Sequence, residues 1–260
     1  MYAKIYYVSD QTSIKNLSLI LQMRFEDWFQ YYQEIREQFG YSTEKDQEAA
    51  NLLNKLIERK SLSISLLQRK IKNKNVIAVG AGHSLESNLD FIRKRKKDVK
   101  IVSEGAVQLL IEEKIKPDIV VSDLDSNPAF LKKAENLGAM IIVHAHADNV
   151  ANMKNLVPKF KRVLGSTQVM PLAKVYNFGG FTDGDRCVFL ADEMNAKSIT
   201  LVGMDFEDEV RTSEFKRSDT KLKKEKMKIS KKLISILAKR TKSKLTNRSN
   251  VSIRGVAKYV

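Results

Sequence analysis

From Asn75 onward the chain repeats one pattern: a short β-branched run, a turn of small polar or acidic residues, then an apolar helical stretch. Val76–Val79 runs into Gly80-Ala81-Gly82, Lys100–Ser103 into Glu104-Gly105, and Asp118–Val121 into Ser122-Asp123-Leu124-Asp125. Met140–Val143 leads to His144–Asn149, Arg162–Leu164 to Gly165–Gln168, Val175–Phe178 to Gly179–Arg186, and Ser198–Val202 to Gly203–Phe206. Short β-branched runs bounded by turn formers read as buried strands. Strands alternating with helices predict an α/β fold with a mostly parallel, Rossmann-like sheet, right-handed crossovers and helices on both faces. Such a sheet lines up all the polar turns on one edge, outside the carboxyl ends of the strands, where open α/β sheets bind ligands.

The sharpest of these turns is IVVSDLDSNP at 119–128. Alternation along an extended chain sends the side chains of Asp123 and Asp125 the same way. Two close carboxylates repel unless a cation neutralises them, and oxygen ligands suit a hard ion such as Mg²⁺. The competing reading is a surface turn in which Asp125–Pro128 caps the next helix.

The run Gly80-Ala81-Gly82-His83-Ser84 places two glycines at a strand-to-helix turn, where backbone amides approach phosphate and Ser84 caps the helix. A dinucleotide fingerprint needs a third glycine, and Leu85 stands in its place; Glu104 could still imitate the acidic ribose ligand. His144, His146 and Asp148 have spacing that suits a transition metal, against a plainer role as polar cleft lining. The single cysteine, Cys187, sits in an apolar run and reads as a core thiol; with no disulfide framework the chain fits a reducing, cytoplasmic setting.

Outside the repeating region the texture changes. Phe25, Trp28, Phe29, Tyr32, Ile35 and Phe39 form one face of an amphipathic helix that Gly40 ends, and leucines and isoleucines continue a helical pattern to Ile71. Residues 1–74 therefore read as a helical N-terminal region, 75–210 as the α/β domain, and 211–260 as a basic helical tail with a last strand expected near Val251–Ile253. The formal charge of +15 is concentrated in that tail, where 17 Lys and Arg face 3 Asp and Glu, leaving 29 against 28 in residues 1–210. Arg211, Lys216 and Arg217 open it, and Lys223, Lys224, Lys231 and Lys232 lie away from its apolar stripe. A near-neutral body argues against a fold built to grip nucleic acid, although a basic nucleic-acid-binding module is the alternative from another class. No run approaches the roughly 20 apolar residues of a membrane span, and the opening residues lack a signal-peptide pattern.

GAGHSLE at 80–86, PDIVVSDLDS at 117–126, HAHADN at 144–149, GFTDGDR at 180–186 and GMDF at 203–206, in that order, resemble the archaeal 6-hydroxymethyl-7,8-dihydropterin pyrophosphokinases. Those are similar in fold to thiamine pyrophosphokinases, the rival within enzymes. The resemblance covers roughly residues 70–210; one departure is His83, where a small residue is expected. It implies transfer of a diphosphate from ATP to the pterin hydroxymethyl group, with Mg²⁺ and release of AMP, in methanopterin- or folate-type cofactor synthesis. In its terms Asp123, Asp125 and Asp148 are catalytic, with Asp123 and Asp125 on the metal, and Gly80, Gly82, His83 and Ser84 bind the nucleotide. Asn149, Thr182, Asp183, Asp185 and Asp205 face the substrate. Among Asp148, Asp183, Asp185 and Asp205, the second ion, the proton acceptor and the pterin contact remain unassigned. The expected partners are ATP and the pterin, with a homo-oligomer left open.

Overall fold

A computed structural model describes residues 28–206 and 220–259. Phe25, Arg211, Lys216 and Arg217 lie outside the described residues. The chain divides into two compact units, Met1–Ser42 and Thr43–Val260. In the first, residues 28–39 form helix α1, on which Trp28, Tyr32 and Ile35 are buried. Gly40 ends it at φ 70°, and the Tyr41 amide reaches back to the Arg36 carbonyl at 3.1 Å.

The second unit begins with α2 (Thr43–Ile57) and α3 (Ile64–Ile71), so its boundary falls well before the first strand. From there the order is β1 (Asn75–Val79), α4 (Ser84–Ser87), α5 (Leu89–Lys94), β2 (Val99–Ser103), α6 (Glu104–Glu112), β3 (Ile119–Ser122) and α7 (Pro128–Asn136). Then come β4 (Met140–Ala145), α8 (Val150–Leu156), β5 (Val163–Thr167), β6 (Val175–Tyr176), α9 (Asp183–Glu193), β7 (Ser198–Val202), α10 (Thr220–Leu237), β8 (Lys244–Asn247) and β9 (Ala257–Lys258). The strands make one nine-stranded sheet in the order β6-β5-β4-β3-β2-β1-β7-β8-β9, and every neighbouring pair is parallel. Residues of β2, β3, β4 and β5 are buried throughout, as expected where helices cover both faces.

The strand order decides where the site can be. Successive crossovers carry the chain from β1 out to β6; the connection through α9 then returns it to the far side of β1. Right-handed crossovers running in opposite directions put α9 on the face opposite α4–α8, where it lies across β1, β2, β3 and β7. The reversal occurs between β1 and β7, a topological switch point, and all carboxyl ends open on the same edge.

The tail departs from expectation in one detail. Val251 and Ile253 are buried but make no strand; the flanking β8 and β9 hold the ladder instead. The Asn247 amide group donates to the Val251 carbonyl at 2.6 Å, and Gly255 at φ 83° turns the chain, so this segment fills space as a loop. Helix α10 packs on α9 through buried Leu233, Ile234 and Leu237, which makes the basic tail part of the core. Among the described residues no helix is long and apolar enough to cross a membrane.

Candidate active site

The centre of the edge is acidic. Glu104 begins α6 directly after β2, and Asp123 and Asp125 follow β3; one carboxylate oxygen from each lies within 4.8 Å of the others. The turn that holds the aspartates is fixed from several sides. Leu124 sits at φ 65°, a strained conformation for a branched side chain, with that side chain buried. Its amide donates to Glu104 Oε2 at 3.0 Å and to Ser122 Oγ at 3.0 Å, while Ser122 Oγ donates to Glu104 Oε2 at 2.8 Å. The Ser126 amide donates to Glu104 Oε1 at 3.1 Å. Behind the turn, Asn149 Nδ2 donates to the Asp123 carbonyl at 2.8 Å and Asn152 Nδ2 to the Leu124 carbonyl at 2.8 Å. These bonds fix the backbone of the turn and leave both aspartates half-buried, with Asp123 Oδ1 buried. At the next position Asn127 caps α7, accepting from the Ala129 amide at 3.0 Å, so the cap reading holds for Asn127 alone.

Beside this cluster, His146 Nε2 lies 3.8 Å from Asp123 Oδ2 and its Nδ1 lies 3.8 Å from Asp148 Oδ2. The Asp148 side chain is 79% exposed. Asn149 is buried and committed: it donates to two carbonyls and accepts from the His146 amide at 3.2 Å. His144 is fully buried against Ser166 Oγ at 3.1 Å, and burial, with Arg186 and His146 nearby, holds its pKa well below the ordinary value. Both histidines thus belong to the lining of the edge, and the acidic group of three does not include them.

The chain turns into the GFTDGDR segment through Gly179 and Gly180, at φ 81° and 86°; a Cβ on Gly180 would stand 2.8 Å from the Arg186 Cα. Asp185 is buried and accepts from the Phe181 amide at 2.8 Å and from the Thr182 amide and hydroxyl at 2.7 Å each, closing the capping box of α9 with its N-cap Thr182. Thr182 is spent on that cap and on Ser230 Oγ of α10 at 3.1 Å. Asp183 stays available: burial raises its pKa well above the usual carboxylate range, Asp123 adds to the effect, and Arg186 opposes it. Arg186, Ser166, Thr167 and Phe178 line a cleft between the sheet and α9. Cys187 behind them is buried, its thiol pushed up by desolvation, in keeping with a core role.

At the switch point the glycines have a reason of their own. A Cβ on Gly80 would stand 2.4 Å from the Gly203 carbonyl oxygen, and one on Gly82 would stand 2.4 Å from Asp205 Oδ2. The Gly80 and Gly82 amides donate to the Val202 and Gly203 carbonyls, each at 2.8 Å. Asp205 accepts from the Ser84 amide at 2.6 Å, the Ser84 hydroxyl at 2.7 Å and the Asn250 amide at 3.0 Å. The close approach of two chain segments thus demands the glycines, and Asp205 takes up the amide and hydroxyl of Ser84, which does not cap the helix as the sequence suggested; His83 stands at the N-cap. His83 is exposed beside it.

A model of the family described as 6-hydroxymethylpterin diphosphokinase MptE-like matches residues 50–211. The chain belongs to the MptE-like family. Its relatives include proteins named 6-hydroxymethyl-7,8-dihydropterin pyrophosphokinase from Methanocaldococcus jannaschii, 40% identical over 194 residues, and Pyrococcus furiosus, 45% identical over 188. A third, from Methanothermobacter thermautotrophicus, is 36% identical over 185 residues. Each alignment covers 71% of this chain and 79–80% of the relative. Among solved structures, a Maf glycosyltransferase from Magnetospirillum magneticum AMB-1 shares the fold at a TM-score of 0.50 and 15% identity; the match takes in 72% of this chain and 34% of that one. The MptE-like match takes in every strand from β1 to β7 and every acidic residue of the edge.

Sequence reading missed three contributors. Glu104 carries the same signal as Asp123, an acid immediately after a strand, although by itself that signal suggests only a ribose ligand. Asp46, in the first turn of α2, is 2% exposed and accepts from the Ala147 amide at 2.9 Å and from Gln168 Nε2 at 2.7 Å. Gln168 Oε1 in turn accepts from the Arg186 guanidinium at 3.3 Å. That relay joins α2 to the floor of the site, and nothing in a single amphipathic helix announces it.

Proposed function

We propose that this protein transfers a diphosphate from ATP to the hydroxymethyl group of 6-hydroxymethyl-7,8-dihydropterin and releases AMP. The observation that carries the reading is the set of three carboxylates at the carboxyl ends of β2 and β3 in a chain of the MptE-like family. All three donors are oxygens that lie within 4.8 Å of one another, and hard cations such as Mg²⁺ take oxygen ligands. Asp123 and Asp125 would hold the ion, with Glu104 behind them fixing the turn. Bound there, the ion supplies neutralisation of the phosphate charge.

Transfer of this type asks little covalent chemistry of a protein and much positioning. The triphosphate lies against the Gly80–Ser84 turn, where the Ala81 and His83 amides remain after Gly80, Gly82 and Ser84 are engaged internally. With Asp185 and Asp205 saturated, Asp148 is the exposed carboxylate that takes the attacking hydroxyl's proton and passes it to solvent. A thiamine pyrophosphokinase would use a similar edge, and the acceptor separates the two. Incubated with ATP, Mg²⁺ and the hydroxymethyl-dihydropterin, the protein should produce AMP. Production of ADP, or turnover with thiamine alone, would refute the assignment.

A further inference from the structure

Resting on that reading, we infer that Asp183 and Arg186 recognise the 2-amino-4-oxo edge of the pterin, Asp183 accepting from its N–H groups and Arg186 donating to its ring carbonyl. The other candidate carboxylates are excluded by what they touch. Asp185 and Asp205 each accept from three internal donors, and Asp148 stands in solvent. Asp183 keeps a buried Oδ1, and Arg186 a buried Nε, with no hydrogen-bond partner. Asp183 Oδ1 and Arg186 Nη1 are 3.8 Å apart, too far for a direct hydrogen bond.

A buried acceptor on Asp183 and a buried donor on the neighbouring guanidinium, each short of a partner, cost free energy that a complementary ligand recovers. A lactam edge places N–H donors next to a carbonyl acceptor, the order this pair requires. Arg186 cannot swing away, because Gln168 and, behind it, Asp46 hold its guanidinium from the rear. Phe178 lines the same cleft, with its ring stacked on Tyr176 at 5.9 Å, and offers aromatic surface to a flat heterocycle. Only the polar edge of the ring has to enter. A thiazolium would bring a second positive charge towards Arg186, so the pair also disfavours thiamine.

Guanine presents the same edge, so the test has to separate the two sources. Binding is measured on the full chain with Mg²⁺ and a non-hydrolysable ATP analogue, using hydroxymethyl-pterin, its 2,4-diamino counterpart and guanosine as probes. Asp183→Asn should weaken the 4-oxo pterin about 10- to 100-fold. Arg186→Gln should abolish the preference for the 4-oxo over the 4-amino ring. Both variants should bind the ATP analogue as the unaltered protein does, which separates lost recognition from lost fold; Asp183→Asn, nearly isosteric, stands alone if Arg186→Gln does not fold. Guanosine should not displace the pterin. Unchanged pterin affinity and preference in the variants would overturn the pair, and guanosine binding more tightly than pterin would overturn its occupant. An unaltered protein that binds the ATP analogue but not pterin would overturn the proposed function and this inference together.

Discussion

At the scale of single residues, the acidic edge separates charge from architecture. Asp123 and Asp125 sit on a turn whose backbone other residues hold, so Asp→Asn at either should cost the reaction and spare the fold. Losing a charge that offsets the cation is expected to lower turnover by about 3–4 kcal/mol of transition-state stabilisation, hundreds-fold in rate. Melting temperature in metal-free buffer should stay equal or rise slightly, because crowded carboxylates repel. Glu104→Gln should behave differently: its oxygens anchor Ser122, Leu124 and Ser126, so stability should fall by about 1–3 kcal/mol along with activity. Turnover and melting curves on the three variants check both statements; wild-type turnover in either aspartate variant would sink the metal-site reading. The aspartates were legible in the sequence because strand alternation is local. Glu104 was only half legible, since its partnership with them depends on β2 and β3 lying side by side.

Among the elements, α2 behaves as part of the catalytic unit although it lies before the first strand. Asp46→Asn would set an amide against the Gln168 amide it now accepts from, and is expected to lower stability by about 1–3 kcal/mol and to loosen Arg186. Thermal denaturation read together with pterin affinity tests this; no change in either contradicts the relay. Helix α7 supplies a pH-dependent anchor. Burial alone would raise the pKa of Glu135, but the Lys132 ammonium and the Arg162 and Lys161 amides more than offset it, and its pKa is lowered. A depressed carboxyl contributes stability that is present above its unfolded pKa, near 4.5, and is lost as pH falls through the lower folded value. Glu135→Gln should therefore destabilise the protein at pH 7 by about 1–3 kcal/mol, with the gap closing below about pH 4. A gap independent of pH in urea denaturation would contradict it. Strand and helix periods made the parallel sheet readable in advance. The true reason for Gly80 and Gly82 was not readable, because the neighbour that excludes a side chain there, the Gly203–Asp205 turn, is more than a hundred residues away in sequence.

For the molecule as a whole, the strand order gathers the strand ends that carry the chemistry onto one edge, while the charge excess lies in a tail whose helix α10 packs on α9. Replacing Lys223, Lys224, Lys231 and Lys232 with Gln should leave turnover at saturating ATP unchanged, since α10 keeps its buried anchor in Leu233, Ile234 and Leu237. A hundredfold loss would make the tail part of the site. The composition showed where the charge lies; that the same segment packs on α9 emerged only from the fold. The proposed reaction moves a diphosphate intact from ATP to the pterin at the acidic edge. The most direct measurement follows ATP labelled at the α- or the β-phosphorus through a turnover with hydroxymethyl-dihydropterin and Mg²⁺. The α label should remain in AMP and the β label should appear in the pterin product. A β label retained in ADP would contradict the account.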